Sequence, residues 1–359
     1  MLSAASKSFL LELLSTPSPT GFEFRGQRKW AAQVRRHCDN VESDAYGSAW
    51  ATLEGSGKRG KRVMLEAHAD EIGYMVKYIS KEGFIHVDRI GGCDVATARG
   101  RRVDILGEKG TVRGVIVNVA IHIREREDEK VPKVHELCMD IGASSAEEVA
   151  AAGIRVGHPA VYSDTVEEMG ESRLVGRALD NRIGGFIIAE VMARLAARKK
   201  RPAATVIAVN AVQEEIGGHG AKMAAHRLMP DVALVLDVTH ATDTPGTDYK
   251  KHGEVKLGGG PSLTHGGANH IEVVNRLIEL AAKAEIPIQH ESSSRFTGTD
   301  TDVIFNQQHG IPSALISLPL RYMHSVVEMA DLRDVEQVIK LLVAFAESVS
   351  DKDDFTVKI

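Results

Sequence analysis

The chain has 359 residues, long enough for a large buried core and, by length alone, for two domains or one domain carrying an insertion. Hydrophobic residues make up 43% and charged residues 26%, with a formal net charge of −5; these values exclude a disordered chain and give no general attraction for nucleic acid or a membrane surface. The three cysteines, Cys38, Cys93 and Cys138, are odd in number and far apart, which argues against a disulfide or cysteine-metal framework and for the reducing cytoplasm.

The N-terminal run MLSAASKSFLLELLSTPSPTGFE is interrupted by Glu12, and Leu10, Leu13 and Leu14 suit one face of a helix that ends before Pro17. It predicts neither a signal peptide nor a membrane span. Residues 25–38 read as a second helix, and 48–55 and 61–68 as strands, the latter so apolar that it belongs in the middle of a sheet. From Glu71 to about residue 167 the texture changes to short strand-like runs (IGYMVKYI, GFIHVDRI, RRVDIL, GTVRGVIVNV, HPAVYSD) separated by glycine or charged turns. One short helix interrupts them, with Ser144 and Glu147 as a capping-box pattern and Gly153 at its end. The charged run REREDEK, 124–130, predicts a solvated, mobile loop.

Beyond residue 168 helices and strands alternate: helix 182–198, strand 204–212, helix 218–228, strand 231–238, helix 269–284, strands 287–293 and 313–320, and a closing helix 331–349. The expected fold is therefore α/β, a central mixed sheet flanked by helices, built from residues 1–70 and 168–359. A β-rich insertion, 71–167, separates the two parts.

Chemistry-bearing residues recur where apolar strands stop. VMLEAHADEIG runs into His68 and Asp70, two apart and so on one side of a strand. RALDNR places Asp180 before a helix; VIAVNAVQEEIGGHGA ends on Glu214 and Glu215; VALVLDVTHATDTPG ends on Asp237; SLPLRYMHSVVE ends near His324. Binding crevices of open α/β sheets lie beyond the carboxyl ends of the strands, so these groups can converge. Two adjacent carboxylates at the end of a buried strand cost free energy unless something positive sits there. Two histidines and several carboxylates without a cysteine suit zinc, cobalt or manganese, and the number of groups exceeds the needs of one tetrahedral ion. Two ions sharing a carboxylate account for the surplus.

The motifs AHADEIG, RALDNR, QEEIGGHGA, DVTHATDTPG, TGTDTD and RYMHS, with DIGASS in the insertion, resemble those of the deblocking, tetrahedral (TET-type) aminopeptidases of metallopeptidase family 42, also known under the label cellulase M. The resemblance spans nearly the whole chain in order and spacing. It implies two divalent metal ions, His68 and Asp237 on one, Glu215 and His324 on the other, and Asp180 bridging both. It also implies Glu214 as general base, Asp70 as the orienter of His68, and a cis peptide between Asp180 and Asn181. One departure is Asn181, where such proteins often carry a second aspartate. TGTD, 297–300, is expected on the same grounds to shape the substrate cleft.

The implied chemistry is coherent: a hydroxide bridging two cations is available near neutral pH and attacks the peptide carbonyl, while Glu214 takes the proton and returns it to the leaving amine. Short peptides would be the substrates. Two alternatives remain open at this point, a metal-free glycoside hydrolase using paired carboxylates and a catalytically silent binding or scaffold relative. His86, His122, His135, His158 and His252 lack partner spacing and read as structural or solvated, and LGGGPSL lacks the Lys-Ser/Thr ending of a phosphate loop. RGRR, 99–102, reads as a solvated face. The apolar strand faces of the insertion invite a second copy across a two-fold axis, and the resemblance extends this to a barrel-like dimerisation domain and a tetrahedral dodecamer of about 470 kDa from twelve 38.9 kDa chains.

Overall fold

The computed structural model describes residues 2–125 and 130–359; residues 126–129 of the charged run expected to be a loop lie outside them. The chain opens with α1 (Ala4–Ser15) and α2 (Phe24–Val34). Ser3 caps α1 by accepting the Ser6 N–H, and Phe9, Leu10, Leu13 and Leu14 are its buried face. Strands β1 (Asn40–Ser43), β2 (Ala49–Leu53) and β3 (Arg62–His68) follow. The chain then leaves for β4 (Gly73–Ile79), β5 (Ile85–Ile90), β6 (Arg102–Gly107), β7 (Gly110–Ile116), β8 (Cys138–Asp140), the short α3 (Ala146–Ala151) and β9 (Pro159–Tyr162). It returns through β10 (Glu167–Met169), β11 (Arg173–Gly176) and α4 (Leu179–Ala196). The rest runs β12 (Thr205–Ala211), α5 (His219–Leu228), β13 (Val232–His240), α6 (Tyr249–His252), β14 (Ser262–Gly266), α7 (Ile271–Lys283), β15 (Gln289–Ser293), α8 (Thr301–Ile304), β16 (Ser313–Leu320), β17 (Glu328–Asp331) and α9 (Leu332–Ser348).

The main sheet has eight strands in the order β1-β2-β12-β3-β13-β16-β14-β15. The run β12-β3-β13-β16 is parallel, whereas β2 and β14 join it antiparallel, so the sheet is mixed. Its central strands are buried on both faces. Side-chain alternation sends Val63, Leu65 and Ala67 of β3 into the core under α1, α4 and α9, and Met64 into the opposite core under α5 and α8. On β13, Leu234, Leu236 and Val238 join the first core and Ala233 and Val235 the second. The insertion closes into a six-stranded barrel, β4-β5-β8-β7-β6-β9, filled by Tyr74, Val76, Ile85, Val103, Ile105 and Met139 among others.

One local reading shifts and two elements are new. The cap of α3 is Ser145, one residue later than expected; its side chain accepts the Glu148 N–H, while Glu148 reaches back not to the cap but to the Ser144 N–H. The segment after LGGGP is a strand, β14, whose backbone satisfies its polar groups between β15 and β16. A small third sheet, β10-β11-β17, forms at the return from the barrel; its strands are only three or four residues long, too short for period-two patterning to register. Among the described residues no helix is long and apolar enough to cross a membrane.

Candidate metal centre and active site

Parallel pairing places the first two candidate groups. The register Glu66↔Val235 between β3 and β13 leaves His68 and Asp237 two residues farther along, on the face that carries Met64, Ala233 and Val235. Both are buried, and His68 Nε2 lies 3.7 Å from Asp237 Oδ1. Asp180 enters from the start of α4, where Asp180 and Asn181 have non-helical dihedrals and the Asp180–Asn181 peptide is cis, as expected. The Asn181 amide donates to the Leu236 carbonyl at 2.7 Å and its oxygen accepts the Gly184 N–H at 3.1 Å. An ionised aspartate could not make the first of these bonds, so the departure at this position ties α4 to β13.

Asp180 faces both histidines: Oδ1 is 3.2 Å from His68 Nε2 and Oδ2 is 3.2 Å from His324 Nε2. Glu215 Oε2 stands 3.5 Å from the same His324 nitrogen, and Glu214 Oε2 stands 3.8 Å from His68 Nε2. Two overlapping clusters result, His68, Asp180 and Asp237, and Asp180, Glu215 and His324, with donor atoms within 4.8 Å of one another in each. The two glutamates lie beyond the end of β12, in a turn opened by Gln213 at φ +61°, and so point apart.

Asp70 does more than the sequence pattern suggests. His68 Nδ1 lies 3.2 Å from its backbone oxygen and 3.4 Å from its carboxylate, while that carboxylate accepts the N–H groups of Glu214 (3.0 Å) and Glu215 (3.2 Å) and the Thr20 hydroxyl (2.8 Å). One buried side chain therefore orients a histidine and both glutamates.

The electrostatics are those of crowded, desolvated acids. Burial and neighbouring negative charge, Asp180 above all, hold Glu215 and Asp237 well above the carboxylate range. Burial pushes Glu214 up to about 8, with Asp300, Asp180 and Asp70 adding and His68 opposing. Burial would depress the His68 imidazole, but Asp180, Asp70, Glu214 and Asp237 hold it well above its usual value. Asp180 itself is lowered, since His324 and His68 outweigh burial. The cavity of about 760 Å³ over these groups is lined by Thr297, Gly298, Thr299, Asp302, Val303 and Met323 as well, and among the described residues lining it there is no lysine or arginine. Glu215 Oε1 is buried without a hydrogen-bond partner. Surplus negative charge, an orphaned carboxylate oxygen and two imidazole nitrogens suit divalent cations with nitrogen and oxygen ligands.

Several supports escaped sequence reading. Glu328, buried, holds the backbone of Asp180 and His324, and its only sequence signal is an acid closing the run SVVE. Beneath the site Glu71 pairs with Arg177 and Arg182, and Arg182 also donates to the Thr16 and Leu13 carbonyls at the end of α1. Glu66 and Asp300, both buried, have their carboxyls pushed up by burial, Glu66 to about 8. A second cavity, about 600 Å³ between Met229, Phe305, Ile311 and Phe355, holds none of the clustered ligand-type groups.

A sequence profile of the M42 glutamyl aminopeptidases matches residues 47–341. The chain is 34% identical over 345 residues to the lysyl aminopeptidase of Pyrococcus furiosus, covering 95% of this chain and 97% of that one. A TET aminopeptidase of a marine sediment archaeon of the Thaumarchaeota has the same fold with a TM-score of 0.91 at 32% identity, over 97% of each chain. The TET1 peptidase of Pyrococcus horikoshii, described as able to assemble into a tetrahedron or a large octahedral shell, gives 0.84 at 28% identity over 96% of this chain and all of that one.

Proposed function

This chain belongs to the M42 family of aminopeptidases, peptide-bond hydrolases, and from that premise we propose that it removes N-terminal residues from short peptides at a centre of two divalent cations. His68 and Asp237 would hold one ion, Glu215 and His324 the other, and Asp180 would be shared; zinc, cobalt and manganese all suit these donors. The observation that carries this reading is the placement of one Asp180 oxygen 3.2 Å from each histidine. When bound, the two cations supply an activated water and a polarised carbonyl.

The chain's own groups do the rest. Glu214, beside His68 but outside both three-residue clusters, accepts the proton of the attacking water. As the carbon–nitrogen bond breaks it returns that proton to the departing amine, so the carboxylate is regenerated each cycle. Asp70 holds the His68 ring and both glutamate backbones in place. A free substrate α-amine fits a cleft rich in carboxylates and free of lysine and arginine among its described residues.

We further propose the cytoplasm as the location, supported by three unpaired cysteines. The division 1–70, 71–167 and 168–359, with the barrel as the assembling part, is supported by the exposed Val115, Val119, Ile121, Ile123 and Val131 on it, and the assembly we favour is a tetrahedral dodecamer.

Metal analysis with hydrolysis of a panel of aminoacyl chromogenic substrates, with and without chelator, tests the reading. Two ions per chain and chelator-sensitive hydrolysis are expected. Hydrolysis of β-glucosides with no aminopeptidase activity overturns it. Light scattering on the metal-loaded protein near 470 kDa is the expected result for the assembly; a monomer overturns it, and a stable dimer overturns only the dodecamer.

A further inference from the structure

The wall of the second cluster is built by the barrel. Between the end of β5 and the turn at residues 95–97, Gly91 and Gly92 pass directly over Glu215 and His324. The Gly92 carbonyl lies 3.1 Å from His324 Nδ1, which therefore donates to it and turns Nε2 toward Asp180 and Glu215. There is no room for a side chain here. A Cβ on Gly92 would sit 2.6 Å from His324 Nδ1 and 2.8 Å from its Cε1, and one on Gly91 would sit 3.0 Å from Glu215 Oε2. Cys93 pins this strap to the barrel, its buried thiol donating to the Gly73 carbonyl at 3.1 Å and the Ile90 carbonyl at 3.6 Å. By contrast His68 and Asp237 of the first cluster sit on main-sheet strands, and His68 leans on Asp70, which Thr20 holds.

We infer that the Gly91–Gly92 strap is a positioning element for one of the two cation sites: docked on the catalytic part, the barrel aims His324 Nε2 and confines Glu215, so this half-site forms only with the barrel in place. The inference rests on the two-ion reading above. The two half-sites consequently differ, the His68 side being preformed by the sheet and the His324 side conditional on the seam between barrel and sheet.

Gly92→Ala isolates the effect, because Gly92 is not at positive φ and alanine strains no backbone there; the added methyl meets only the imidazole. The zinc-loaded protein is titrated with a chromogenic chelator to give the two dissociation constants. In Gly92→Ala one of the two constants is expected to rise about 10–100-fold, the range for outer-shell partners of metal ligands, while the other is unchanged. Gly267→Ala, a glycine with nothing within 4 Å of its Cβ position, should leave both constants unchanged. The double variant Gly92→Ala/His324→Gln should lose no more than His324→Gln alone. Constants of Gly92→Ala within twofold of the parent, equal weakening of both ions, or additive losses in the double variant overturn the inference. A parent protein that holds a single ion refutes the two-ion reading itself, and takes this inference with it.

Discussion

Glu328 holds Asp180 in place without touching its carboxylate: Oε2 accepts the Asp180 backbone N–H at 3.1 Å, while Oε1 accepts the His324 N–H at 2.9 Å. One buried acid at the start of β17 thus spaces the shared carboxylate and the histidine of the second cluster. In Glu328→Gln one of these N–H groups meets an amide that donates rather than accepts. The expected loss is about 10–100-fold in metal affinity or activity, with the fold retained. Unchanged metal dissociation constants and kcat/KM would show that the clamp is dispensable.

Glu214 and Asp180 should fail differently. Glu214→Gln removes the proposed base and leaves every proposed ligand, so both ions stay and turnover falls by roughly 10²–10⁴-fold, measured on a metal-replete sample. Asp180→Ala removes the group both clusters share and should lose bound metal itself. Near-normal turnover in the first variant, or two tightly held ions in the second, contradicts the assignment.

The pH profile follows from the sign of the Glu214 shift. Burial pushes this carboxyl up to about 8, and a base acts only when ionised, so kcat/KM should fall as pH drops through its pKa. The two proposed cations would favour the carboxylate and move that midpoint below 8. The parent should therefore show an acidic limb below pH 8 that the residual activity of Glu214→Gln lacks. The same limb in both proteins would assign the titration elsewhere.

Arg182 carries stability rather than chemistry. It is buried, donates to the Thr16 and Leu13 carbonyls and to Glu71 Oε1 at 3.2 Å, and burial pulls its pKa down to about 10. Arg182→Met leaves the carbonyls at the end of α1 and one side of Glu71 unpaired, at a cost of about 3–5 kcal/mol. Chemical denaturation of both proteins measures this, and a difference under 1 kcal/mol would mean that water or repacking replaces the guanidinium.

Much of this molecule is legible in its sequence because its signals are local. The uninterrupted apolar run at 63–65, the alternation after residue 168 and the acids and imidazoles placed where strands end each report a neighbourhood of a few residues, and period-two alternation alone puts His68 and Asp70 on one side. The seven candidate groups, His68, Asp70, Asp180, Glu214, Glu215, Asp237 and His324, are therefore legible from spacing and resemblance alone. What they share with one another depends on contacts between residues far apart in the chain. The 3.2 Å approach of Asp180 to both histidines, the three donors gathered by Asp70, the bond from Asn181 to β13 and the reach of Glu328 under α4 are set by strand register and helix packing. Nor does any periodicity mark Gly91 and Gly92: two glycines in a turn look like any other turn until folding lays them against His324, 232 residues away along the chain. Side-chain type and period are written residue by residue, whereas distance across the fold is decided only when the sheet, the helices and the barrel pack together.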